Sequence, residues 1–378
     1  MIANQRSLFD LSDDVAYLNC AYMGPLPRAA REAGQAAMAR KSRPWEIPPS
    51  DFFEPAETTR ALFAKLIGAA AGDVALVPSA SYGLAVAAAN VRLEPGEAIL
   101  LLAEQFPSNV LVWREKAAEA GADIITVARP ENDDWTGAVL ERLEPRVKVL
   151  ALPHCHWTDG GLLDLEEIAA AARRNGAAVV IDGTQSLGAL PFDVAKIQPD
   201  FLAAAAYKWL LGPYSTGFLY VAPRHQEGKP IEHNWVVRAG AEDFTALVEY
   251  RDDFAPGARR FDQGERAGMQ LLPVSIASLE LLLGWGIENI QATLAEKTAA
   301  IAAGAAELGI KSAPRNRRAG HFAGLRFTGG IPGDLAEKLA AAKVHVSVRG
   351  SSLRVTPHLY NTDEEADRLL AVLRTTRG

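Results

Sequence analysis

Between residues 60 and 225 short apolar runs alternate with longer stretches whose apolar positions recur at helical spacing. The runs lie at 74–77, 98–102, 124–127, 147–152 and 179–181. They are almost continuously apolar, broken only at Thr126 and Lys148, as strands buried on both faces are, so the pattern predicts a mostly parallel sheet covered by helices on both sides. Helices are predicted at 110–120 and 165–175, the latter stopped by Asn175-Gly176. Right-handed crossovers are the default connection. Runs 201–207 and 217–221 continue the series, but the link 208–216 is too short for a crossover helix. Those two strands are therefore expected to be antiparallel neighbours, which makes the sheet mixed.

Past the sheet the pattern changes. The stretch 225–262, rich in charge, Gly and Pro, reads as irregular chain crossing between domains. A helix apolar on most faces is predicted at 271–285, an alanine-rich helix at 290–308, strands at 322–327 and 344–348, and a closing helix at 364–374. Thr362 and Glu365 have the spacing of a capping box for that last helix. These pieces make a smaller α+β unit.

Composition narrows the class. With 378 residues, 49% hydrophobic and 22% charged, the chain is ordinary globular material, long enough for more than one domain. A net charge of −7 with scattered basic residues argues against a nucleic-acid partner. Asp10, Asp13 and Asp14 interrupt any signal-peptide core, and no later stretch reaches membrane-spanning length without charge. A cytoplasmic protein without a membrane partner is expected. Two cysteines, Cys20 and Cys155, exclude a disulfide framework as the organising principle.

The most informative stretch is 179–221, where Asp182 ends one buried run and Lys208 follows another. Ligands of open α/β sheets bind at the carboxyl ends of the strands. An Asp and a Lys separated by a crossover can face each other there across a small planar ligand. Pyridoxal 5'-phosphate (PLP) needs this pair: an amine to form a Schiff base, and a carboxylate to keep the pyridine nitrogen protonated so that the ring accepts electrons. Taken singly, Asp182 reads as a turn-capping residue and Lys208 as a surface lysine. Gly183, Gln185 and the small residues Ala203–Ala206 beside them favour the cofactor.

The segment resembles the class V aminotransferase family of fold-type I PLP enzymes, whose relatives include cysteine desulfurase, kynureninase and isopenicillin N epimerase. The resemblance runs over nearly the whole chain. It implies a seven-stranded, mostly parallel mixed sheet in a large PLP-binding α/β domain (21–260), a small α+β domain (261–378), and an N-terminal segment (1–20) lying with the small domain and the active site. It also implies a homodimer acting on a small amino-acid substrate.

On matching positions, Ser81 in ValProSerAlaSerTyrGly (77–83), with Tyr82 beside it, corresponds to the phosphate-binding turn. Phe106 corresponds to the residue stacked on the cofactor ring. Gln185 would donate to the cofactor's phenolic oxygen. Tyr207 stands where desulfurases carry His and can donate to the phosphate, while Ala205 replaces their phosphate-binding Ser. Arg354, before TyrAsnThr (360–362), corresponds to the arginine for the substrate α-carboxylate, with Arg349 as the alternative. Asn19, Tyr22 and Trp157 are candidate substrate contacts, and Thr158 a pocket-lining one. In the segment reached by the neighbouring subunit's phosphate, Glu265 replaces the usual Thr, with Arg266 as a possible substitute.

HisCysHis at 154–156 invites a metal reading, but no further ligand of matching spacing accompanies it, so no metal is expected. A desulfurase needs a cysteine shortly before the carboxylate-binding arginine, and 350–353 holds none. Transamination is the favoured reaction, with elimination or epimerisation on the same scaffold as the alternative. A non-PLP nucleotide-binding α/β protein is the weaker rival, since neither a G-x-G-x-x-G nor a G-x-x-x-x-G-K-[ST] loop is present.

Overall fold

Before the first apolar run come a two-residue strand, β1 (Ala16–Tyr17), and two helices that the apolar pattern did not announce, α1 (Arg28–Lys41) and α2 (Glu54–Ile67). The signals for α2 are local: Pro55 in its first turn, Phe63, Leu66 and Ile67 on its buried face, and Gly68 ending it at φ 70°. The computed structural model describes residues 1–376 of the chain.

The predicted runs form one central sheet: β2 (Val74–Val77), β3 (Ala98–Leu102), β4 (Asp123–Val127), β5 (Val147–Pro153), β6 (Ala178–Asp182), β7 (Phe201–Ala205) and β8 (Gly217–Val221). Its order is β2-β8-β7-β6-β5-β3-β4, with β8 antiparallel to both neighbours and the other pairings parallel. The mixed, seven-stranded sheet is thus as expected. Alternate residues feed two cores. Val74, Leu76, Leu100 and Leu102 face one side, packed by α2 and α6 (Leu165–Arg174). Ala75, Val77, Ile99 and Leu101 face the other, under α3 (Ala80–Asn90) and α4 (Ser108–Ala120). Each fully buried Leu or Ile stabilises the fold by about 1.5–3 kcal/mol, which is why both faces must be covered. Two short helices, α5 (Trp135–Glu141) and α7 (Val194–Ile197), complete the connections.

β7 ends at Ala205, two residues before the expected 207. The Ala206 N–H donates to the Thr216 carbonyl at 2.9 Å and the Ala206 carbonyl accepts from Gly212, so the chain folds back at once and Tyr207 and Lys208 leave the sheet. Gly24 fits over this turn: a Cβ there would run into the Lys208 carbonyl oxygen, and its N–H donates to the Tyr207 carbonyl at 2.9 Å.

Residues 225–262 hold no α-helix or strand. Helix α8 (Leu272–Trp285) then packs on α1 and α2, with Leu272, Leu279 and Leu282 in the core of the large sheet, although it lies beyond residue 260. The rest comprises α9 (Ile287–Glu307), β9 (Ala323–Arg326), α10 (Leu335–Ala341), β10 (Val344–His345), β11 (Ser347–Arg349), β12 (Ser352–Val355) and α11 (Asp363–Thr375). The strand expected at 344–348 is two pieces in two sheets. β10 pairs in parallel with β1, while β11 joins the antiparallel sheet β11-β12-β9. At the start of α11 the Thr362 N–H donates to Glu365 Oε2 at 2.9 Å. Among the described residues no helix is long and apolar enough to cross a membrane.

Candidate active site

The winding of the sheet reverses between β3 and β5: the chain runs outward from β3 to β4, then returns to β5 and proceeds the other way through β6 and β7. The crevice at the strand ends of such a switch point is the usual ligand site. A cavity of about 300 Å³ lies there, lined among others by Ser81, Phe106, Asp182, Gln185, Tyr207 and Lys208. Its size is at the lower end of small-ligand sites, which run from about 300 to 1,000 Å³. A larger open groove of about 1130 Å³ by α2, α6 and α9 gathers charged ends of both signs, Lys65, Glu166 and Arg317 among them, without comparable chemistry.

Lys208 is 5% exposed, its Nζ 5.2 Å from the centre of the Phe106 ring and 5.4 Å from that of Tyr207. Burial pulls its pKa down to about 8. Asp182 works against that fall, and the charges of Arg354 and Arg349 add to it. Asp182 ends β6 beside Ala203 of β7, and its Oδ1 accepts the Thr184 N–H at 3.0 Å. Small residues on β7 leave the strand ends open. Ser79 caps α3, accepting the Tyr82 N–H at 3.1 Å, and its hydroxyl lies 2.8 Å from that of Ser81. Both line the cavity, so an anion there meets two hydroxyls and a helix N-terminus. Gly83 lets α3 sit this close, since a Cβ there would lie 3.0 Å from Ala203 Cβ.

Phe106 and Trp157 form one aromatic wall, edge to face at 5.4 Å, with the Trp157 indole N–H donating to the Glu104 carbonyl at 2.7 Å. Tyr207 packs on Tyr214 at 4.6 Å, and burial pushes its phenol pKa up. Arg354, on β12, is 1% exposed, and its Nη1 donates to the Trp157 carbonyl at 2.9 Å. Burial, then repulsion from Arg349, lowers its pKa to about 9. Arg349 shares a face of the β11–β12 hairpin with it and stands over the Trp157 ring, 5.9 Å from its centre.

Other predicted residues lie elsewhere. Tyr82 is turned from the cavity, its hydroxyl donating to Glu232 Oε2 at 3.1 Å. Asn19 accepts the Ser347 hydroxyl at 2.9 Å beneath the N-terminal loop, and Tyr22 is 55% exposed beside it; neither lines the cavity. Arg266 does not offer a free guanidinium: it is buried and donates to Asp262 Oδ2 at 2.6 Å. Thr158 bonds His156 and Arg129 at 2.8 and 3.0 Å. The HisCysHis side chains diverge, His154 onto Phe192, His156 onto Trp135, and Cys155 to the cavity. Burial pushes the thiols of Cys155 and Cys20 well up, away from the thiolate form.

Sequence reasoning missed Ser79, which its position before a helix signals, and Tyr214, Ser215 and Thr216, which enter the cavity only because β8 runs antiparallel. A buried amine opposite a carboxylate, an aromatic wall and a hydroxyl-lined helix N-terminus fit the aldehyde, pyridine nitrogen, ring and phosphate of PLP.

The model of the family "Aminotransferase class-V" matches residues 48–369. The chain is 31% identical to an uncharacterized aminotransferase, YcbU, of Bacillus subtilis, over 82% of this chain and 81% of that protein. It is 30% identical to the isopenicillin N epimerase of Streptomyces clavuligerus, over 100% of this chain and 98% of that one. In fold it is similar to a variant of C-DES with glycine covalently linked to its PLP cofactor, at a TM-score of 0.85 and 21% identity over 98% of each chain. This chain therefore belongs to the class-V aminotransferase family of fold-type I, PLP-dependent enzymes.

Proposed function

We propose that this protein transfers the amino group of a small amino acid, with PLP attached to Lys208. The observation that carries the reading is the buried Lys208 amine facing Asp182 in a cavity at the switch point of the sheet. When bound, PLP supplies an electron sink for the pair left at Cα. The residues do the rest. Asp182 holds a proton at the pyridine nitrogen, Phe106 covers the ring, and Ser79, Ser81 and the N-terminus of α3 grip the phosphate, with the Tyr207 hydroxyl as a further donor. Arg354 takes the α-carboxylate and so sets which bond at Cα stands perpendicular to the ring. Lys208, once released, is a base whose pKa near 8 suits proton transfer at Cα close to neutral pH.

A second reading, epimerisation, draws support from the likeness to isopenicillin N epimerase along the full chain. It needs the same residues and no oxo-acid acceptor. Elimination is the remaining outcome on this scaffold. Sulfur transfer is disfavoured: residues 350–353 hold no cysteine, and both thiols are buried. Two further parts of the reading are a cytoplasmic setting and a homodimer.

The test is a visible-absorption scan of purified protein with added PLP, then borohydride fixation. A new band and label on Lys208 are expected, and their absence would overturn the cofactor assignment. Product analysis over an amino-acid panel follows: turnover that requires an oxo-acid acceptor is transamination, and inversion at Cα without one is epimerisation. Equilibrium sedimentation of the PLP-loaded protein checks the dimer, which a monomeric mass would contradict.

A further inference from the structure

Gln185 is held at three atoms by four separate segments, the Cys155 thiol at 3.4 Å from its main-chain carbonyl being one of them. Its side-chain Oε1 accepts the indole N–H of Trp209 at 3.0 Å. Its Nε2 donates to the Ala21 carbonyl at 3.1 Å. Its main-chain carbonyl accepts from His321 Nε2 at 2.7 Å. An amide's oxygen and nitrogen ends are nearly the same shape, so an unanchored Gln can present either one. Here both anchors specify the same choice. The indole is a donor only and demands the amide oxygen; the Ala21 carbonyl is an acceptor only and demands the nitrogen. One N–H of Nε2 is left over on a residue that lines the cavity.

We infer that Trp209 is a positioning residue: its indole N–H sets the Gln185 amide so that the cavity meets a donor rather than an acceptor. The inference rests on the PLP reading above, in which Gln185 meets the cofactor's phenolic oxygen. Trp209 is suited to the task. It follows Lys208 directly, is fully buried, and is wedged edge-on against His321 at 4.4 Å with an interplanar angle of 82°. His321 is itself buried and neutral, its pKa drawn down by burial to about 4, so it can hold the Gln185 carbonyl with one fixed N–H. The residue beside the attachment lysine thereby decides the polarity of a neighbour across the cavity. An N–H given to the phenolic oxygen draws off electron density that would otherwise hold a proton on the adjacent nitrogen. An amide oxygen turned the same way would do the opposite.

The test uses the PLP-loaded protein and reads the pH midpoint of its visible absorption band, not turnover alone. Trp209→Phe keeps a ring and removes the N–H, and the midpoint is expected to rise by about one pH unit, the scale of one lost hydrogen bond. Gln185→Ala is expected to raise it as well, and adding Trp209→Phe to Gln185→Ala to change it no further. A Trp209→Phe shift that persists in full without Gln185, or no shift in the single variant, overturns the inference. If Trp209→Phe does not fold, site-specific replacement of Trp209 by benzothienylalanine, with sulfur in place of N–H in the same bicyclic shape, makes the same measurement. Failure of the cofactor reading is distinct: unsubstituted protein would then show no band and no label on Lys208.

Discussion

Two buried arginine sites lie in this molecule, and they are opposites. Arg60 of α2 is fully buried, but Asp262 pairs with it at 2.7 Å, also accepts from Arg266, and takes the Leu76 N–H at 2.7 Å. Burial works against the Arg60 charge, but the attraction and hydrogen bonds of Asp262 and Glu57 together outweigh it, so its pKa is raised. Arg354 is as deeply buried, yet among the described residues no carboxylate meets it, and burial lowers its pKa to about 9. The first charge ties α2, β2 and the 262–266 segment together. The second is held unpaired in one place, by the β11–β12 hairpin and one carbonyl. A buried cation left without its anion is costly to the fold, and the cost is recovered when a carboxylate arrives. The pair that is complete serves stability, and the incomplete one serves binding.

Four experiments break or sharpen this contrast, the largest effect first. Asp262→Asn leaves two buried guanidiniums undercompensated and is expected to lower unfolding free energy by about 3–5 kcal/mol, read by denaturant titration. A loss below about 1 kcal/mol would show that the network is not held by charge. Arg354→Gln is expected to lower kcat/KM for the amino-acid substrate roughly 100-fold, the scale of a charge-assisted bidentate contact, with the melting temperature unchanged or higher. An equal loss of stability in both variants would erase the distinction.

The third concerns buried histidines. Burial lowers the pKa of His154 and His358 to about 3 and of His321 to about 4. The unfolded chain therefore binds more protons below its own histidine pKa. Their contribution to stability is whole above about pH 6.5 and is lost as pH falls toward 4, at up to about 1.4 kcal/mol per pH unit for each histidine. Both ring nitrogens of His358 lack partners, so His358→Phe is expected to flatten the pH dependence of unfolding by one such slope while changing stability at pH 8 little. The smallest effect is kinetic. Only the neutral Lys208 amine attacks an aldehyde, so the rate of PLP uptake by cofactor-free protein is expected to rise with pH and level off above about 8. Asp182→Asn removes the charge that opposes the fall in the Lys208 pKa, and should move that midpoint to lower pH. A shift to higher pH would contradict the placement of Asp182.

Legibility in the sequence followed the burial of each part. β2, β3, β7 and β8 are buried at every position and appear as unbroken apolar runs. Helix α1 was not visible because Ala30 is its one buried residue. The 344–348 segment read as a single strand because local pattern carries no information about which partner each half pairs with. Within the site, Ser81, Phe106, Asp182, Gln185, Tyr207, Lys208 and Trp157 were legible and meet at one cavity. Tyr82 was misplaced, since consecutive residues on a helix point about 100° apart and Ser81 takes the cavity side, while Glu232, the partner of Tyr82, is far along the chain.

The sequence by itself determined the alternation of strand and helix, the antiparallel turn after Lys208 forced by a short link, and the order of the chemical groups, because these depend on neighbours in the chain. Only the tertiary structure decided which groups face the cavity, which arginine keeps an unpaired charge, and which end of the Gln185 amide is presented. Those follow from contacts between segments such as Ala21, Trp209 and His321, whose relative positions are set by packing rather than by sequence spacing.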